Sequence, residues 1–187
     1  MIYKILKNQR FELAPYAIVP IRSQDMLRIK EWRNAQIDVL RQKSHLTDDD
    51  QRKYFENVVA RLFEQDQPIQ ILVSYLKDDV PIGYGGIVHI DWADRRGEVS
   101  FLLDPARISE QTYTKEFSVF LGLIKKLAWE LSLNRLYTET FDIRDLHIKV
   151  LESSGFLLEG RMRQHVLIKG QFYDSLIHGC LRKDENI

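Results

Sequence analysis

The chain has 187 residues, 44% of them hydrophobic and 29% charged, with 9 Gly and 5 Pro, a composition that excludes a disordered or fibrous chain. Lysine plus arginine equals aspartate plus glutamate at 27 each, so no net field draws the protein to nucleic acid or to an anionic membrane surface. Cys180 is the lone cysteine and cannot form an internal disulfide, no stretch approaches the roughly 18 apolar residues of a membrane-inserted helix, and residues 1–10 lack a signal-peptide core, so a cytoplasmic protein is expected.

A short leader precedes a strand over residues 17–21 (AIVPI). Residues 23–34 then place Met26, Ile29 and Trp32 at helical spacing behind Ser23, a residue type suited to an N-cap. Thr47 and the acids that follow it open a second helix, with Tyr54, Val58, Arg61 and Leu62 in phase, which ends before Pro68. Three β-rich runs come next, at 69–76, 81–91 and 97–103. The charged, turn-like segments KDDV and WADRR separate them, which predicts an antiparallel meander. From 116 to 131 the residues Phe117, Phe120, Leu121, Ile124, Ala128 and Leu131 trace a broad apolar stripe, the longest helix in the chain. Residues 135–141 read as a strand and 144–156 as a helix closed by Gly155. The last two strands form a hairpin turning at Lys169 and Gly170. With no internal repeat or linker, residues 1–187 are expected to form a single domain whose core runs from about 17 to 182.

Specific residues carry a resemblance. The strand GEVSFLLDP (97–105) resembles the fourth strand of the GNAT (Gcn5-related N-acetyltransferase) family. Gly155, Phe156, Glu159, Gly160, Arg163, Gly170 and Asp174 match the closing pattern of one subgroup. EWRN at 31–34, LRQ at 40–42 and the Gln51-x-x-Tyr54-Phe55 helix resemble acetyltransferases acting on ribosomal-protein amino termini or on nucleotide-linked amino sugars. The meander at 82–103 is most similar to the sugar-modifying branch. The resemblance implies an α/β fold with a mixed, mostly antiparallel sheet flanked by helices. It also implies acetyl-CoA as cosubstrate and a small-molecule or nucleotide-sugar amine as acceptor, with no nucleic acid and no membrane insertion. A homodimer is left open.

In this family a Gln/Arg-x-x-Gly-x-Gly/Ala loop at the start of the long helix binds the coenzyme A pyrophosphate through outward-facing amides. The matching segment is QTYTKE, where Gln111 agrees and Thr114 and Glu116 replace the small residues. The implied contacts are Leu102 and Leu103 at the strand end, then Gln111, Thr112, Tyr113, Thr114, Lys115 and Glu116, and Arg144 at the position of the family's asparagine. Two readings stand: a looser phosphate site using threonine hydroxyls and Lys115, or an ordinary helix start with a threonine cap and a dipole-complementing Glu116. Arg144 reads either as a phosphate ligand or as a solvated charge. The family's frequent tyrosine acid falls at Leu151, which cannot transfer a proton.

Family chemistry is direct attack of an amine on a thioester, which requires a base near the amine. Glu98 is the first candidate base. Strand alternation puts it on one face with Ser100 and Leu102, and its alternative role is an edge carboxylate paired with Arg95 or Arg96. His89 is a second candidate base or sugar contact, or a structural histidine. Tyr113 and Tyr173 are candidates to replace the missing acid. Trp32, Arg33, Asn34, Trp92 and Tyr173 are candidates to line the acceptor cleft, though Trp32 taken alone is better suited to the core. The histidines have no metal-like spacing, so no metal is expected. The readings that follow are N-acylation of a nucleotide-linked amino sugar, acetylation of a protein amino terminus, or a non-catalytic binding module of the same fold.

Overall fold

The computed structural model of the protein describes residues 1–186. Its strands are β1 (Phe11–Leu13), β2 (Tyr16–Pro20), β3 (Ile71–Lys77), β4 (Val80–Asp91), β5 (Arg96–Leu103), β6 (Arg135–Phe141), β7 (Leu157–Ile168) and β8 (Gln171–Leu181). They form one sheet in the order β1-β2-β3-β4-β5-β6-β8-β7. Each neighbouring pair is antiparallel except β5 and β6, which run parallel. This is the mixed, mostly antiparallel α/β architecture expected from the sequence. β1 lies in what reads as leader; at three residues it is too short to show a periodicity.

Helices cover both faces. The first face carries α1 (Met26–Ala35) and a continuous helical rod made of α2 (Asp48–Tyr54), a π-helical turn (Phe55–Val59) and α3 (Ala60–Leu62). The opposite face carries α4 (Glu110–Glu130) and α5 (Asp145–Ser153). Strand alternation makes the division: Ser74 bonds Asp25 beside α1 while Tyr75 packs against Phe120 of α4. Likewise Tyr84 bonds Arg33 of α1, and Gly85 lies under Phe120. The core between sheet and α4 is aromatic, with Phe101 4.4 Å from Phe117 and 4.6 Å from Phe120 between ring centroids. A Cβ on Gly85 would stand 2.8 Å from the Phe120 ring, so glycine is what lets α4 sit this close.

Local signals mostly hold. Thr47 and Asp50 form a reciprocal capping box at α2. Gly155 takes a φ of 83° just beyond α5, and Lys169 and Gly170 take φ of 48° and 82° at the hairpin turn, the left-handed pair that a two-residue hairpin loop favours. Two expectations are corrected. Ser23 does not cap α1: it opens a 3-10 turn, the helix begins at Met26, and the buried Asp25 instead accepts from Arg22 and Ser74. The long helix begins at Glu110 rather than 116, so QTYTKE is its first two turns and not a loop.

Candidate active site

β5 and β6 pair at Arg96 with Arg135, Gly97 with Leu136 and Glu98 with Tyr137, then separate. The gap is a cleft of about 280 Å³ floored by Phe101 and Phe117, bounded by loop residues 39–42 on the α1 side and by Arg144 and His147 of the α5 start. Two further cavities adjoin it. One of about 420 Å³ shares Val39, Arg144 and His147 with the cleft and runs between the starts of α4 and α5, past Ile108, Tyr113 and Leu146. The other, about 280 Å³, shares Arg33, Val88 and Ser100 and lies beneath α1 and α2.

Glu98 stands where the strands part. It is 6% exposed and lines the cleft. Its Oε2 lies 2.7 Å from His89 Nδ1, so the two candidate bases meet, and the mostly exposed imidazole connects the carboxylate to solvent. Arg41 also grips Glu98, through Nη1 at 3.3 Å and a shorter contact from Nη2. The expected partners Arg95 and Arg96 are not the ones used. Arg96 turns to Asp91 and Asp94 across the bulge that ends the β4–β5 ladder. Glu139, on β6, faces the same opening from the other strand, 3.9 Å from Arg41 and 3.5 Å from His165.

Tyr113 occupies the opposite face. Arg144 Nη2 donates to its hydroxyl oxygen at 3.2 Å, and the hydroxyl lies 2.7 Å from His147 Nδ1. Burial holds the His147 imidazole neutral, well below its ordinary pKa, and the Arg144 and His178 charges push the same way. A neutral Nδ1 can accept, and arginine can only donate, so the phenol proton points to His147. Burial raises the Tyr113 pKa and Arg144 opposes the rise. His147 also stacks on Phe117 at 4.3 Å.

The other residues singled out in the sequence divide sharply. Arg33 lines the cleft and donates to Tyr84 and Gln42. Trp32 is a core residue. Asn34 binds Leu46 and Gln42, and so holds the α1–α2 loop rather than facing the cleft. Trp92 donates to the Pro68 carbonyl and Tyr173 to Gln171, and neither lines any of the three cavities. Glu116 is corrected from phosphate contact to structural anchor. It is 1% exposed, and its carboxylate is held by both Arg107 donors, which ties the β5–α4 connection to the helix. Lys115 leans over the Tyr16 ring at 5.9 Å. Thr114, Lys115 and Glu116 lie past the first turn of α4, where backbone amides bond within the helix and are not offered to a ligand. The Leu103 carbonyl accepts from Gln36.

The site nevertheless fits coenzyme A. Ser109 makes no side-chain cap to α4, leaving the first-turn amides of Glu110, Gln111 and Thr112 without an intrahelical acceptor. Arg144 makes no side-chain cap to α5, whose first turn faces the same cavity. The start of α5 and the Arg144 guanidinium border that cavity, whose lining residues Ile108 and Tyr113 flank the first turn of α4 in the chain. Beyond Glu98, β5 has no β6 partner on its outer edge, as an extended amide chain would require. The Thr138 hydroxyl lines the cleft, buried and without a hydrogen-bond partner among the described residues.

Arg41, Glu139 and His147 were not among the residues singled out for the site. For Glu139 the signal was present: alternation in the strand RLYTETF places it one pleat beyond Tyr137 on the same face. His147 lies three residues after Arg144 and so on its face of the helix. Arg41 sits in an irregular segment with no period to read.

The Acetyltransferase (GNAT) domain family matches residues 18–177. Solved structures share the fold. Spermidine N-acetyltransferase from Vibrio cholerae, in complex with CoA and spermine, superposes with a TM-score of 0.80 at 13% identity, over 94% of this chain and 100% of that one. The ribosomal-protein-S5-alanine acetyltransferase from Vibrio fischeri gives 0.73 at 18%, over 95% and 98%. A probable GNAT-family acetyltransferase from Chromobacterium violaceum gives 0.74 at 16%, over 97% and 96%. No curated protein matches the sequence.

Proposed function

The chain belongs to the GNAT acetyltransferase family, and from that premise we propose that it transfers an acetyl group to a small primary amine entering beneath the α1–α2 loop, with Glu98 as the base. It is an acetyltransferase with acetyl-CoA as cosubstrate. The observation that carries the proposal is the buried Glu98 at the parting of β5 and β6, with His89 at 2.7 Å leading outward. We treat residues 1–187 as one domain.

Acetyl-CoA supplies an activated acetyl thioester; the protein binds, orients and moves protons. The first-turn amides of Glu110, Gln111 and Thr112, with Arg144, would hold the diphosphate, and the free edge of β5 up to Leu102 would align the extended arm. An alkyl amine with pKa ~10.4 loses its proton at a cost of about 4–5 kcal/mol at neutral pH. Glu98 takes that proton and His89 passes it to solvent. On the other face the Tyr113 hydroxyl lies between Arg144 and His147 at the start of α5. Arg144 donates to its oxygen and the neutral His147 accepts its proton, so Tyr113 can give that proton to a leaving thiolate only after the phenol hydroxyl turns from His147.

A small amine suits a cleft of about 280 Å³, and the structural neighbour holding spermine supports that size of acceptor. The sugar reading rested on the meander at 82–103, and the aromatic planes offered to stack on a sugar, Trp32 and Trp92, are occupied in packing. A protein amino terminus remains the competing acceptor, and both belong in the assay panel. The decisive variant is Glu98→Gln. Thiol release with a panel of polyamines, amino-terminal peptides and nucleotide-linked amino sugars is expected to fall roughly 100- to 10,000-fold in kcat. The thermal shift caused by acetyl-CoA is expected to persist, since acetyl-CoA at about 100 times its Kd adds ~2.7 kcal/mol. Undiminished turnover in Glu98→Gln would remove this carboxylate from the mechanism.

A further inference from the structure

Glu98 and Glu139 approach the opening of the cleft from two strands that are no longer paired there. Their side chains are 8% and 18% exposed, and a single guanidinium nitrogen, Arg41 Nη2, contacts the first and lies 3.9 Å from the second. His89 and His165 stand on the outer flank of each carboxylate. The backbones of both carboxylates are fixed by the sheet. The cation is not: Arg41 leaves an irregular segment and its side chain is 47% exposed. The bonds that hold this loop are made instead by its neighbour Gln42 and by Leu46, both tied to Asn34. The guanidinium can therefore swing out about its stem while the loop backbone stays in place.

Two facing carboxylates in a cleft need a cation between them. Arg41 contacts both oxygens of Glu98, so an incoming amine reaches that carboxylate only once the guanidinium has moved. We propose that Arg41 is a tethered stand-in for the acceptor. The Glu98–Glu139 pair is the seat of the substrate's ammonium group, and an incoming cationic amine displaces Arg41, takes its place between the two carboxylates and hands its proton to Glu98. The acceptor class is then an amine that arrives protonated. This rests on the assignment of Glu98 to the acceptor side, and it adds a second carboxylate and a displaceable occupant.

Binding tests this apart from turnover. Methylguanidinium and n-propylammonium are titrated into the full-length protein without acetyl-CoA, at constant ionic strength set with sodium chloride, and followed by NMR of the cleft residues. Arg41→Ala is expected to bind both about tenfold or more tighter than the native protein, a gain of at least ~1.4 kcal/mol. Arg41→Met, which keeps the apolar stem, is expected to behave likewise. Adding Glu139→Gln to Arg41→Ala is expected to abolish the gain. Equal affinity in Arg41→Ala and the native protein, or a gain that survives Glu139→Gln, would overturn the proposal. Because no thioester is involved, a failed Glu98→Gln experiment leaves this result readable, and the reverse also holds.

Discussion

Arg107 and Glu116 show how one residue pair can look like a binding defect in sequence and be a structural joint in the fold. A carboxylate two turns into the phosphate-binding helix reads as repulsion of a diphosphate. Its oxygens instead face inward to Arg107, and Tyr16 lies within 3.5 Å. The two partners are not equivalent, since Glu116 is fully buried whereas Arg107 keeps contact with water. Arg107→Ala therefore strands a buried charge and is expected to cost about 3 kcal/mol, while Glu116→Ala leaves an arginine that can reach solvent and is expected to cost about 1 kcal/mol. Replacing both with apolar residues of similar size is expected to recover most of the loss. Urea denaturation of the three variants checks the order; a larger loss for Glu116→Ala would contradict it. Legibility at this scale followed chemistry with a period. Glu98 could be singled out because it heads the strand that carries the resemblance, whereas Arg41 could not, because its contacts come from an irregular segment with no period to read.

The start of α4 decides how an anion is received. Sequence periodicity placed that start at 116, because the apolar stripe fades in the polar stretch QTYTKE, where Tyr113 is the sole large apolar side chain. Tertiary packing extends the helix: Tyr113 is buried against Phe101 and Phe117, adding nearly two turns. The negative charge that matters for the diphosphate is then Glu110, the first residue of the helix, rather than Glu116. Glu110 complements the helix dipole and opposes an anion at the same place. Glu110→Gln is expected to lower stability by about 0.3–1 kcal/mol and to tighten acetyl-CoA binding by about threefold to tenfold. Thermal denaturation and calorimetric titration on one sample test both signs, and weaker binding would place the diphosphate elsewhere. By contrast the terminal hairpin was legible to the residue, because Lys169 and Gly170 must both adopt positive φ and the sequence offers a glycine there.

At the level of the whole molecule, the sheet is two halves joined by a short seam. β1 to β5 form one antiparallel block and β6, β8 and β7 another, and only three residue pairs connect them before the strands part. The expectation of a mixed sheet was right in class, but no local pattern marks where two strands cease to pair. Phe117 and His147, stacked at 4.3 Å, both line the cleft between the parted strands. In the proposed binding mode a ligand lying along the β5 edge would supply the missing strand and, by touching the starts of α4 and α5, would link both halves at once. Acetyl-CoA is therefore expected to slow hydrogen exchange at the alternate amides of 99–103 that do not bond β4, and at the first-turn amides of α4 and α5, more than in β1 to β3. Exchange measured by mass spectrometry with and without acetyl-CoA provides the check. Protection confined to one half would mean that the ligand does not bridge the seam, and the parted strands would then need another explanation than room for a thioester arm.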